Sequence, residues 1–122
     1  MSLLNRILKE QAKKERVVLI YVLSFDLKDA SSEYAKITKA LGDLGYSRDS
    51  NLGEDSLPRN FYAGQKQVSY DPDDISLVDK IQQETIEFEE VVKKIMGAEA
   101  PGKLNKYFVS VSLKTNTGLR IG

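Results

Sequence analysis

Arg16-Val-Val-Leu-Ile-Tyr-Val-Leu-Ser-Phe25 is the stretch that decides the fold. It is rich in β-branched and aromatic side chains, runs continuously rather than alternating, and is closed by Asp26. Such a run suits a central strand covered on at least one face by helices. A membrane-spanning helix needs roughly 20 apolar residues, far more than the unbroken run Val17–Leu23 provides.

Downstream of this strand, Ser31 or Asp29 is placed to cap a helix running to Gly45. Its apolar positions Tyr34, Ile37, Leu41 and Leu44 step at helical spacing, and Gly45 supplies a left-handed stop. Residues 46–58 are polar and turn-rich, with a short edge strand expected at Tyr46–Ser50 and mobility expected elsewhere. Arg59–Ser69 reads as the next strand, with a bulge expected at Gly64. Asp71-Pro72-Asp73-Asp74 reads as a helix start, with a capping acid, a proline at the first position and acids facing the dipole. That helix is expected to reach Met96 and stop at Gly97. Its seam is Val78, Ile81, Thr85, Phe88, Val92 and Ile95. Tyr107–Leu113 alternates as a half-buried strand.

Upstream, residues 1–16 form a separate unit. Leu3, Leu4, Ile7 and Leu8 share one face of an amphipathic helix whose other face is basic. It is expected to dock on the domain or on a second subunit rather than on a membrane. Residues 17–122 then make one domain. The order of strand, helix, one or two strands, helix and strand predicts an α+β, ferredoxin-like (β-α-β-β-α-β) sandwich with this helix added at its N-terminus.

Composition narrows the chemistry. The 122 residues contain no cysteine, histidine or tryptophan. Disulfides, Cys/His zinc sites, thiol nucleophiles and His-based triads are thereby excluded. The 18 basic and 18 acidic residues balance, unlike a dedicated nucleic-acid-binding domain. Their distribution is uneven: residues 1–16 hold five basic and two acidic groups, and residues 71–96 three and eight. Residues 97–122 hold four and one, so the two ends of the chain can form a local basic patch. No phosphate-binding glycine loop, dinucleotide fingerprint or nucleophile elbow occurs.

Ile20–Phe25 resembles the first-strand signature of an RNA-recognition motif, with Tyr21 and Phe61 as its stacking candidates. The companion signature is missing. Arg59–Ala63 does not match it, and Lys106–Val109 falls on the last strand. Glu54, Asp55 and Asp49 are loop acids, and Glu87, Glu89 and Glu90 are expected on the outer face of the second helix. Ser110 and Ser112, on one face of the last strand beside Lys114, are placed to contact phosphate but have no base to make them nucleophiles.

The spacing around Asp26 is more specific. Phe25-Asp26-Leu27, then Tyr34, Ile37, Leu41 and Gly45, resembles the start of a group of small ferredoxin-like families. These are virulence-associated protein D, the SinR-like proteins and the small CRISPR-associated adaptation nuclease. The resemblance covers residues 17–45 and extends more loosely to Leu57–Gly64, where Asn60-Phe61-Tyr62 replaces the usual Ser/Thr-aromatic element. It implies a homodimer that pairs through its sheets and brings the two strand-exit aspartates together at the two-fold axis. Asp26 carries over as metal ligand and catalytic residue, Mg²⁺ as cofactor, and nucleic acid as partner. The implied activity is metal-dependent cleavage of RNA or DNA, or nucleic-acid binding alone, in a cytoplasmic setting. The competing expectation is a non-enzymatic dimeric protein-interaction module.

Overall fold

β1 (Glu15–Leu27) is the middle strand of a three-stranded antiparallel sheet ordered β2-β1-β3. The computed structural model describes residues 14–28, 33–47 and 61–117. β2 (Phe61–Tyr70) pairs with β1 from Glu15↔Tyr70 to Ser24↔Phe61. β3 (Leu104–Leu113) pairs along its other edge from Leu19↔Leu113 to Leu27↔Leu104, with an irregularity between Asp26 and Leu27. α1 (Tyr34–Asp43) follows β1, and α2 (Leu77–Glu99) joins β2 to β3. A 3₁₀ turn, Lys114–Asn116, ends the described chain. This is an α+β architecture, broadly compatible with the expected ferredoxin-like plan, with three strands among the described residues where that plan has four.

Alternation along β1 separates two environments. Leu19, Tyr21, Leu23, Phe25 and Leu27 enter one core with Ile37 and Leu41 of α1 and Phe88, Val92 and Met96 of α2. Both helices therefore cover the same sheet face. Tyr107, Val109, Val111 and Leu113 pack against this core from β3, as their spacing predicts. Two aromatic groups give it shape. Phe25 lies between Tyr34 and Tyr62, with stacked ring separations of 5.6 and 5.5 Å. Tyr21, Tyr46 and Phe88 form a triangle 4.8 to 5.8 Å on a side. Offset and tilted contacts of this kind add about 0.5–1.5 kcal/mol each beyond area burial. Their polar tips are matched too. Tyr62 exchanges a 2.8 Å hydrogen bond with Thr38 of α1, and the Tyr21 hydroxyl donates to Glu84 of α2 at 2.9 Å.

Gly64 shows no bulge. It pairs in regular register with Tyr21, and the reason for glycine is a close approach. A Cβ there would lie 2.5 Å from the Gly45 carbonyl oxygen and 2.9 Å from the Tyr46 ring. Gly45 has φ +93°, the left-handed stop expected after α1, and it swings Tyr46 back onto the sheet. Ser47 then makes an isolated antiparallel bridge with Ala63. The rest of the expected edge strand and loop 46–58 lies outside the described residues, as do the capping candidates Asp29 and Ser31.

The helix boundaries correct three expectations. Asp71–Asp74 forms a turn, not a helix start: Asp71 accepts from Asp73 N through its carboxylate, and from Asp74 N and Ile75 N through its carbonyl. These local bonds compete with helix formation. The cap is Ser76, which accepts from Asp79 N at 3.1 Å, so Val78 falls in the first turn and is exposed. At the other end Gly97 is an ordinary helical residue, and α2 runs on to Glu99. Pro101, which offers no backbone donor, and Gly102 at φ +74° end it. The third correction is N-terminal: Glu15 and Arg16 belong to β1, and the remainder of the expected first helix lies outside the described residues.

Two measurements follow from this packing. Gly64→Ala should lower the unfolding free energy by about 1–3 kcal/mol through overpacking against fixed backbone. Gly97→Ala, where an added Cβ meets nothing within 4 Å, should raise it by about 0.5–1 kcal/mol; urea denaturation of both variants checks the pair. Burial, reinforced by the Glu84 carboxylate, pushes the Tyr21 phenol well above its ordinary range. The native state thus holds this proton after the unfolded chain has lost it. Stability from this group is complete below pH about 10 and declines as pH rises above that value. Tyr21→Phe should flatten that alkaline decline in pH-dependent unfolding.

Candidate functional site at the exit of the central strand

Asp26 is the penultimate residue of β1, opposite Lys106 of β3, rather than the first residue beyond the strand. Being even-numbered on β1, it belongs to the face turned away from α1 and α2, and its side chain is exposed. The irregularity after Asp26 is held from several sides. The Tyr34 hydroxyl accepts from Leu27 N at 3.4 Å, and Lys28 N donates to the Lys103 carbonyl at 2.7 Å. Lys103 in turn ion-pairs with Glu33 at the start of α1. Tyr34, stacked on Phe25, thus comes within a long hydrogen bond of the backbone next to the aspartate.

The carboxylate of Asp26 accepts a long hydrogen bond from the Asn105 amide, 3.3 Å. Lys106 forms no ion pair among the described residues. Asp26, Ser24, Lys106 and Phe108 help line a shallow depression of about 300 Å³ that also reaches Phe25 and Tyr107. Ser24 pairs with Phe61 on one side and Phe108 on the other, which gives a row Phe61–Ser24–Phe108 across the sheet. Phe108 is 59% exposed. Further along the same face Ile20 and Ala63 are buried, and Ser112 is bonded to Thr117 beyond the 3₁₀ turn.

The other singled-out residues separate cleanly. Tyr21 is a core residue, not a stacking surface, because odd positions on β1 face the helices. Phe61 is on the opposite face, half-buried. Glu89 accepts from the Tyr107 hydroxyl at 2.9 Å and Glu84 from Tyr21, so part of the acidic helix is engaged with the sheet. Glu87 and Glu90 are exposed as expected. Asp49, Glu54 and Asp55 lie outside the described residues. Sequence reasoning missed Phe108 and Asn105. The alternation of 107–113 that buries Tyr107 does place Phe108 on the opposite face, and that signal was available.

A divalent cation with oxygen ligands needs more than the described residues gather at one point. Among the described residues no group of three or more acidic, histidine or cysteine side chains converges. Asp26 is one hard oxygen ligand with a lysine across from it, and a fit to Mg²⁺ would need a further carboxylate beside it. No helix among the described residues is long and apolar enough to cross a membrane. Comparison with protein-family models, curated proteins and solved structures found no match for this chain.

Asp26 is exposed, and its hydrogen bond to Asn105 is long. Asp26→Asn is therefore expected to change unfolding free energy by no more than about 0.5 kcal/mol, which thermal denaturation followed by circular dichroism checks.

Proposed function

We propose that this chain is a ferredoxin-like nucleic-acid-handling protein that works as a homodimer, related to the virulence-associated protein D, SinR-like and small adaptation-nuclease group. The observation that carries the reading is the exposed Asp26 on the sheet face turned away from α1 and α2, beside a depression. The Ser47↔Ala63 bridge supports the fold part. It brings the chain after α1 alongside the outer edge of β2, where the fourth strand of the plan runs.

In this reading two copies would pair about a two-fold axis at the strand-exit end of the sheet, where their Asp26 carboxylates together would hold a Mg²⁺ ion. When bound, such a cation polarises a phosphodiester and activates water, chemistry that requires no histidine. Asp26 holds the cation, and Lys106 offers a positive charge to a phosphate oxygen. The setting proposed for this activity is cytoplasmic.

The test combines assembly with activity. Sedimentation at tens of micromolar should give a dimer, and single-stranded RNA or DNA should be cleaved with Mg²⁺ or Mn²⁺ and spared in EDTA. Asp26→Asn should abolish cleavage while leaving the fold intact, since it keeps the shape and removes the charge. Cleavage unchanged in Asp26→Asn overturns the site. A dimer that neither binds nor cleaves nucleic acid overturns the reading and leaves the protein-interaction module as its rival.

A further inference from the structure

We infer that the row Phe61–Ser24–Phe108 is a stacking site for unpaired nucleobases, so that the nucleic acid handled here is single-stranded. The inference rests on the nucleic-acid reading above and names its substrate class. Phe108 is the one aromatic among the large exposed apolar side chains described, and it lies in register with Ser24. Phe61 occupies the same row on the other side of that serine. With strands about 4.8 Å apart, the two ring-bearing backbones are about 10 Å apart across a small residue. The protein's own core shows what such a span accepts. Phe25 lies between Tyr34 and Tyr62 with ring separations of 5.6 and 5.5 Å. A planar base over Ser24 can meet aromatic surface on both sides.

The surroundings suit a nucleotide better than another apolar surface. Asp26 and Lys106 form the next row, about 7 Å further along the strands. Lys106 is exposed and makes no ion pair among the described residues, so its ammonium is available to phosphate. Ser110 is on the same face one row the other way, opposite Val22. That row continues through Val22 to the buried Ala63, and the row beyond holds the buried Ile20, which limits the site to the strand-exit end and to one or two bases. The depression of about 300 Å³ at this end is of small-ligand size. Duplex nucleic acid keeps its bases stacked inside and cannot offer a ring to the row, whereas an unpaired strand can.

The test uses fluorescein-labelled 12-mers of thymidylate and uridylate, the same strands carrying abasic positions, and a duplex, all in EDTA so that nothing is cleaved. Fluorescence anisotropy should show the unpaired strands bound more tightly than both the duplex and the abasic strands. Phe108→Ala should weaken unpaired-strand binding on the order of tenfold, as loss of a base–aromatic stack does, while Phe108→Tyr restores it. Lys106→Gln should weaken all strands alike and reduce the salt dependence. Circular dichroism should show both Phe108 variants folded, as expected for an exposed side chain. Abasic strands bound as tightly as intact ones, or Phe108→Ala binding like wild type, overturn the stacking site and leave the nucleic-acid reading standing. Wild-type protein that binds no strand overturns both. Conversion of a dimer to monomer by Phe108→Ala makes the ring an intersubunit anchor and likewise overturns the stacking assignment.

Discussion

Because β1 is hydrogen-bonded along both edges, its backbone polar groups are consumed by its neighbours and its side chains have only two directions to take. That constraint organises everything else. Odd positions collect the apolar surface of both helices, and even positions are left on the face where Asp26, Ser24 and the flanking phenylalanines gather. A one-residue slip would exchange the two sets and put a carboxylate into the core. The aromatic contacts and the Tyr21–Glu84 bond hold α2 to the register chosen by β1. Most of these contacts are distant in sequence, so the loop-closure cost comes before much of the gain, as expected of slowly assembling sheets.

The order of elements was legible because Val17–Leu23 is an unbroken apolar run of strand-forming residues and the seam from Ile81 to Ile95 keeps helical spacing. Boundaries were less so. The acid-proline cluster at Asp71 contains every helix-start signal, yet its own side chain satisfies the backbone in a turn, and Ser76 takes over the capping. Gly97 looked like a stop because glycine so often is one, but the break is enforced five residues later by φ +74° at Gly102. Gly64 shows a similar gap. Its close neighbours, Gly45 and Tyr46, are nearly twenty residues away in sequence, and no local pattern reports a tertiary approach of this kind.

The site was legible to the extent that a local motif encodes it. Asp26, Leu27 and Tyr34 were readable together, and the hydroxyl of Tyr34 does come within 3.4 Å of Leu27 N. The contribution of β3 was not, because the pairing of Ser24 with Phe108 and of Asp26 with Lys106 depends on a register set across the whole sheet. An exposed phenylalanine in an alternating strand also carries no mark of its own. Only the identity of its cross-strand neighbours makes it part of a site.

The way the aromatic side chains divide between the two faces also gives the protein an internal optical reporter. It has no tryptophan, so its near-ultraviolet dichroism arises from six tyrosines and four phenylalanines. The two ring clusters, Tyr34–Phe25–Tyr62 and Tyr21–Tyr46–Phe88, both lie between the sheet and the helices. The tyrosine band therefore reads the seating of the helices, while events at Phe61 and Phe108 leave it largely untouched. Loosening of the layers is thus readable in the unlabelled molecule.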